Sequence, residues 1–361
     1  MKEKRVYNFS AGPSMLSEEV LEEVQKNLLN YHNSGMSVME MSHRSSTYLK
    51  IYNDTKNILK RILNVPDSYN IVFVQGGATQ QFSMIPLNLL KSGKADYIIT
   101  GSFSNKAYLE ACKYGDINIV YDGSKNNFTK IPNQEELNIS NDSDYLHYCT
   151  NNTIYGTEWK YVPKTGLPLV ADMSSNLLSK PIDVSKYSII YAGAQKNMGI
   201  AGLGVAIIKN NLLNDVPKSC PILLDYSLLI NKDSMYNTPP TFSIYMLGEV
   251  CKWIERKGGL EKIYKLNLKK ANILYDYVDN SLFYKTIADK MNRSIMNVTF
   301  RCPNQELDLK FASEANQRGL TNLSGHRSVG GLRASIYNAM PVEGVVALIN
   351  FMKEFEVNNN V

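Results

Sequence analysis

The sequence predicts an α/β fold: a large domain with a mostly parallel, mixed sheet flanked by helices, followed by a smaller α+β domain. Three observations carry this. Between Ile71 and Ile208 short β-branched runs alternate with stretches of helical period. Those runs are apolar on both faces, as strands buried beneath helices must be. After Lys209 the alternation stops, and a long segment from Leu260 to Asp279, free of glycine and proline, leads into a different pattern.

Each element has its own local reason. The opening Tyr7–Pro13 stretch is extended and then turns. Ser17 is placed as an N-cap, with Glu18 and Glu19 suiting the helix dipole and Val20, Leu21, Val24 and Leu28 forming one apolar face. A second helix carries Tyr48, Ile51, Tyr52, Ile58, Leu59 and Ile62 on one side. Strands are expected at residues 71–74, 97–100, 117–121, 145–149, 168–172 and 204–208, and from Ser188 to a strand end at Lys196, with a helix over 106–114. Tyr236–Pro240 is rigid and non-helical. Helices over 242–257 and 260–279 follow, then strands at 295–300 and 332–336 and helices near 309–318 and 342–355.

Composition narrows the function classes. Hydrophobic residues make up 44% and charged residues 20%, as in ordinary globular enzymes. The net charge of +5 comes with no long basic run, so nucleic acid is not an expected partner. The five scattered cysteines form no Cys-x-x-Cys, which argues against a disulfide framework and against a zinc site; no metal is expected. Met1–Arg5 is charged, with no apolar signal core after it, and no apolar run reaches membrane-spanning length. A cytoplasmic protein without a membrane partner is therefore expected.

The chemistry-bearing residues gather at predicted strand ends, where open α/β sheets collect their ligands. The stretch Ser188–Asn197 is a short apolar run that ends in small residues and then in Lys196, and the neighbouring run 168–172 ends on Asp172. Lys196 alone is most simply a surface lysine, and Asp172 alone a turn aspartate. Together they suit pyridoxal 5'-phosphate: a lysine to form a Schiff base and a carboxylate to keep the pyridine nitrogen protonated. Small residues before Lys196 leave room for a flat ring. Gly76-Gly77-Ala78-Thr79, between a strand and a helix, reads either as a plain turn or as a phosphate cradle at a helix N-terminus. It lacks the pattern of a Walker loop or a dinucleotide site. Phe103 reads as core or as a ring stacked on the cofactor, and Thr153 as a turn residue or a hydroxyl for the phenolic oxygen. Arg44, Arg327 and Arg333 have few acidic neighbours in sequence, and His43-Arg44 and His326-Arg327 form two His-Arg pairs. These read either as surface arginines in contact with solvent or as forks for carboxylates and phosphates, and a substrate with two anionic ends would need two such clusters.

Five segments taken together resemble the phosphoserine aminotransferase family, a class V branch of the fold-type I pyridoxal phosphate enzymes. They are Asn8–Pro13, Ser42–Ser45, Tyr191–Asn197, Asn237–Pro240 and Gly325–Ser335, in the family's order. The resemblance implies transfer of the amino group of L-glutamate to 3-phosphohydroxypyruvate, giving O-phospho-L-serine and 2-oxoglutarate. A second activity in pyridoxine biosynthesis, on 3-hydroxy-2-oxo-4-phosphonooxybutanoate, is a further expectation. Lys196 would carry the covalent cofactor and move the proton, and Asp172 would hold the pyridine nitrogen. Gly77, Ala78, Thr79 and Gln195 would hold its phosphate, and Thr153 its phenolic oxygen. Asn237 and Thr238 would reach that phosphate from the other subunit, implying a homodimer with shared active sites. Arg333 would clamp the α-carboxylate and Ser10 would bind substrate, while His43, Arg44, and His326 or Arg327 from the partner subunit would take the distal phosphate or γ-carboxylate. Phe103 stands where many members place tryptophan, which keeps the stack and loses the indole donor. Ala78-Thr79 stands where some carry Gly-Arg, which loses a charge. The expected division is a cofactor-binding domain over 16–260 and a small domain from 1–15 and 261–361. Another fold-type I enzyme, such as a cysteine desulfurase, is disfavoured because no cysteine sits in a glycine-rich loop. A catalytically dead binding protein is disfavoured by the intact lysine and aspartate.

Overall fold

The computed structural model describes residues 5–213 and 220–359. The charged start Met1–Lys4 lies outside the described residues. The chain opens with the two-residue strand β1 (Tyr7–Asn8) and helix α1 (Glu18–Lys26). Val20 and Val24 form its buried face, but Leu28 falls beyond its end. Ser17 occupies the N-cap position without making the capping hydrogen bond expected of it, so Glu18 and Glu19 are left to meet the helix dipole. Helix α2 (Ser46–Ile62) is capped instead by Ser45, whose Oγ accepts from the Tyr48 amide.

The alternating part follows. It comprises β2 (Tyr69–Gln75), α3 (Ala78–Leu89), β3 (Lys94–Ile99), α4 (Ser102–Ala111), β4 (Asp116–Asp122) and β5 (Leu146–Cys149). Next come the small hairpin β6 (Asn151–Asn152) and β7 (Thr157–Glu158), then β8 (Leu169–Asp172), β9 (Ile189–Gly193) and β10 (Leu203–Lys209). Helix α4 starts four residues before the expected position. The Ser104 hydroxyl accepts from the amides of Thr100 and Gly101 at 3.0 and 3.1 Å, which caps the turn and lets the helix begin at once. The seven long strands form one sheet in the order β2-β10-β9-β8-β5-β3-β4. Strand β10 runs antiparallel to both of its neighbours, and β9, β8, β5, β3 and β4 are mutually parallel.

Beyond the sheet lie α5 (Tyr226–Asn231), α6 (Thr241–Arg256) and α7 (Gly259–Asn280). Helix α5 was not expected; Asp225 caps it by accepting from the amides of Ser227 and Leu228. Strands β11 (Lys285–Thr286) and β12 (Asn297–Arg301), helix α8 (Gln305–Gln317), strands β13 (Leu320–Thr321) and β14 (Leu332–Ser335) and helix α9 (Val342–Asn359) complete the chain. Strands β11, β12 and β14 form an antiparallel sheet over a core of its own, which includes Phe300, Phe311, Phe351 and Phe355. Each such buried phenylalanine contributes about 2 kcal/mol relative to exposure. Phe9 belongs to that core, because β1 pairs with β13 and the Ser335 amide donates to the Phe9 carbonyl at 3.2 Å. The N-terminus thus returns to the last third of the chain and crosses the carboxyl end of the large sheet.

Candidate active site

Asp172 is the last residue of β8 and lies in register with Tyr191 of β9 on one side and Cys149 of β5 on the other. It is buried, and Ser174 folds back on it, donating to Oδ1 from its amide at 2.9 Å and its hydroxyl at 2.6 Å. Burial pushes the Asp172 carboxyl up; the Ser174 hydrogen bonds, the Lys196 charge and Tyr191 act against it. A carboxylate so placed calls for a cation.

Strand β9 ends at Gly193, and the chain enters a tight turn that holds Lys196. The N-terminal segment locks this turn. Ser14 donates to it twice, from its amide to the Gln195 carbonyl at 2.9 Å and from its hydroxyl to the Lys196 carbonyl. Gly12, at φ +145°, passes along the lysine stem, where a Cβ would lie 3.6 Å from Cγ and 3.7 Å from Cε. Lys196 Nζ donates to Thr153 Oγ1 at 2.9 Å, and Thr153 is held in turn by Ser175 Oγ at 2.8 Å. The same Nζ lies 5.5 Å from the centroid of the Phe103 ring. Lys196, Asp172, Thr153 and Phe103 therefore converge on one place.

The glycine turn leads into α3. Gly76 takes φ +94°, a conformation that glycine adopts without strain. Gly77 is the N-cap of α3, makes no side-chain cap, and faces open space where a Cβ would stand. The amides of Ala78 and Thr79 begin this helix, so its dipole and open donors suit an anion. Gln195 reaches back over Gly193, where a Cβ would meet its Oε1 at 2.6 Å. Thr238 accepts a hydrogen bond at its carbonyl from Gln75 at the end of β2, and Asn237 lines a small cavity beside Gln75 and Gln80.

The cationic residues form a looser group. Arg333 sits on β14, and its Nε is buried with no partner among the described residues. His326 shares a hydrogen bond with Ser328 Oγ at 2.7 Å. Burial and then the charges of Arg333, Arg327 and Lys106 hold the His326 imidazole below its ordinary value. Arg44 is exposed, and His43 Nε2 is buried without a partner among the described residues. No hydrogen bond joins His43 or Arg44 to Lys196, Asp172 or Arg333 among the described residues. Ser10 accepts from the Gly12 amide at 3.5 Å, in the segment that crosses the lysine.

Comparison with known proteins places this geometry. The aminotransferase class-V family model matches residues 6–348. A phosphoserine aminotransferase of Bacillus cereus is 51% identical over 358 residues, covering 99% of each chain. The solved phosphoserine aminotransferase of Bacillus circulans subsp. alkalophilus superposes with a TM-score of 0.96 at 44% identity, covering 98% of this chain and 99% of that one. A PLP-bound phosphoserine aminotransferase from Trichomonas vaginalis gives a TM-score of 0.93 at 41% identity, covering 97% and 100%. The chain belongs to the class-V aminotransferases, in the phosphoserine aminotransferase family. Its sheet and flanking helices are the fold-type I architecture of pyridoxal phosphate enzymes.

The residues present in this aminotransferase fit the cofactor of its family. A buried carboxylate, a primary amine held by a hydroxyl, an aromatic ring within 5.5 Å of that amine and an uncapped helix start at an open glycine are the parts such a ring and phosphate need. Sequence reasoning missed the residues that hold these parts: Ser174 on Asp172, Ser175 on Thr153, and Gly12 and Ser14 on the lysine turn. The Asp-x-Ser spacing at 172–174 was a legible signal for the first, since an aspartate readily accepts from the amide two residues on. The others have no local signal.

Proposed function

We propose that this aminotransferase acts on L-glutamate and 3-phosphohydroxypyruvate, with pyridoxal 5'-phosphate attached to Lys196, as a homodimer in the cytoplasm. When bound, the cofactor supplies an aldehyde that accepts the amino group and a ring that draws electrons from the substrate's α-carbon. Lys196 Nζ would take the proton from the donor's α-carbon and, in the second half of the cycle, deliver one to the acceptor's α-carbon, and Thr153 holds the amine on that side of the site. Asp172 presents negative charge to the ring nitrogen, held in orientation by the two Ser174 donors. Phe103 flanks the ring, and Gly77, Ala78, Thr79 and Gln195 receive the phosphate at the start of α3, joined by Asn237 and Thr238 of a second copy.

Arg333 binds the substrate's α-carboxylate; its buried, unpartnered Nε is the donor such an anion would satisfy. Ser10 binds substrate, and His43, Arg44, and His326 or Arg327 of a second copy serve the distal end, where either a γ-carboxylate or a phosphate can sit. Burial keeps His326 neutral more readily than an exposed imidazole, so the arginines carry most of the charge there. The same distal group would take 3-hydroxy-2-oxo-4-phosphonooxybutanoate. The proposed domain division is 16–260 for the cofactor-binding part, with 1–15 and 261–361 as the smaller part; the separate core containing Phe9 supports it. Five cysteines free of disulfides are compatible with a reducing compartment.

The single observation that carries this reading is the Lys196–Thr153 hydrogen bond beside the buried Asp172. The test is direct. The purified protein should be yellow, lose that colour on addition of glutamate, and regain it with 3-phosphohydroxypyruvate. A colourless protein to which pyridoxal phosphate does not bind would end the proposal.

A further inference from the structure

On the sheet face that carries Asp172 lies a buried polar chain that the proposed reaction leaves unexplained. Tyr191 faces Asp172 in register across β8 and β9. Cys149 pairs with Asp172 across β5 and β8, so His147, two residues earlier on β5, shares that face. His147 Nε2 lies 2.8 Å from the Tyr191 hydroxyl. The imidazole also stacks on Tyr97, with ring centroids 4.6 Å apart and planes 21° apart. Tyr191 and Tyr97 are fully buried and His147 is 1% exposed. His147 Nδ1 has no partner among the described residues.

An imidazole in an aromatic core is expensive, because its nitrogens lose water; a phenylalanine would fill the space without that cost. Burial pushes the ring down to about 3, so it is neutral, with one nitrogen a donor and the other an acceptor. The tautomer follows from the partners. A bare lone pair is less costly to bury than a bare N–H, so the proton belongs on Nε2, and Nδ1 keeps the unused lone pair. Nε2–H then donates to the Tyr191 oxygen, which leaves the tyrosine's own proton for Asp172. The Tyr191 hydroxyl is among the hydrogen-bonding groups that favour the charged form of that carboxylate against its burial.

We propose that His147 and Tyr191 are positioning residues for the aminotransferase reaction: a hydrogen-bonded pair that orients Asp172 toward the cofactor's ring nitrogen. This rests on the proposed role of Asp172. Ser174 holds one carboxylate oxygen from the turn, and Tyr191 lies opposite Asp172 on the neighbouring strand. Neither His147 nor Tyr191 touches substrate; both act through Asp172.

The test uses the full chain in four variants: Tyr191→Phe, His147→Phe, His147→Gln and Asp172→Asn. The readouts are the Kd of pyridoxal phosphate for the cofactor-free protein, the absorbance band of the bound cofactor, and kcat and KM for glutamate. Tyr191→Phe should weaken cofactor binding about tenfold, shift the band and lower kcat with KM for glutamate little changed. His147→Phe should act in the same direction, and His147→Gln, whose amide can donate to Tyr191, should restore much of the loss. Far-UV circular dichroism establishes that each variant folds; if His147→Phe does not, Tyr191→Phe decides. Wild-type affinity, spectrum and kcat in Tyr191→Phe overturn the role of the pair. A wild-type chain that binds the cofactor with the same affinity as Asp172→Asn overturns instead the role of Asp172, and that of the pair with it.

Discussion

Ser14 donates its hydroxyl hydrogen to the main-chain carbonyl of Lys196, 182 residues further along the chain. The neighbouring amide of Ser14 binds the Gln195 carbonyl at 2.9 Å. Two adjacent carbonyls of the lysine turn are thus satisfied by one residue of the N-terminal segment. That segment is tied at its other end to the smaller sheet, through Phe9 to Ser335 and through Ala11 to the Tyr337 hydroxyl at 3.0 Å. The position of the lysine is therefore coupled to the smaller sheet through the N-terminal segment.

Ser14→Ala should loosen the lysine turn while leaving the cores intact. The expected stability loss is about 1 kcal/mol, the net worth of one hydrogen bond. The kcat should fall more than that stability change suggests, because a displaced base loses its alignment. Urea unfolding and steady-state kinetics on the same preparation separate the two.

Lys196→Ala should keep the fold and lose turnover by at least about a hundredfold, the usual effect of removing a positioned proton carrier. Thr153, left without its donor, retains the Ser175 contact at 2.8 Å, so local collapse is not expected. Single-turnover assay with glutamate, beside a circular dichroism spectrum, checks both halves. Normal activity in this variant would show that another group moves the proton.

Arg44→Ala bears on the distal end of the substrate. Arg44 is exposed, so its removal should not destabilise the chain by more than about 0.5 kcal/mol. The KM for 3-phosphohydroxypyruvate should rise about tenfold or more, while the unphosphorylated analogue hydroxypyruvate is affected far less. Equal losses for the two acids would remove Arg44 from the phosphate's surroundings.

Lys270 governs a pH dependence of stability that is separate from catalysis. It is fully buried on α7, and its amine donates to the carbonyls of Ile336, Tyr337 and Met340 at 3.1, 2.7 and 3.1 Å. Burial pushes the Lys270 amine down to about 7, whereas an unfolded lysine titrates near 10.4. Between those values the unfolded chain binds more protons than the native one, so this contribution to stability rises with pH and is lost as pH falls toward 7. Lys270→Met should flatten the difference in unfolding free energy between pH 7.5 and 9, on the order of 2 kcal/mol for a full shift. It should also lower stability at both pH values, since the buried carbonyls lose the two N–H donors of the neutral amine. An unchanged pH slope would show that the amine stays charged against those carbonyls throughout.

The local chain determined much of this protein. Apolar runs such as Ile189–Gly193 and Leu203–Lys209 encode buried strands by composition alone, and the alternation with helical periods encodes the α/β class. The glycines at 76 and 77 announce a turn before a helix, and the small residues ahead of Lys196 announce room for a flat ring at a strand end. The family motifs lie within single segments and are legible for that reason. Boundaries were less so: α4 begins early because Ser104 caps the amides of Thr100 and Gly101, and Ser17 holds a cap position without capping.

Only the tertiary structure decided the rest. Strand β10 enters the sheet antiparallel between β2 and β9, which no periodicity records. Thr153 meets Lys196 across 43 residues, Ser14 meets it across 182, and Tyr191 reaches His147 across 44. Periodicity and turn chemistry act over a few residues, where the backbone geometry is nearly set by the side chains themselves. Contacts between distant residues depend on strand order and on the path of the crossovers, and these follow from burying all the apolar faces at once.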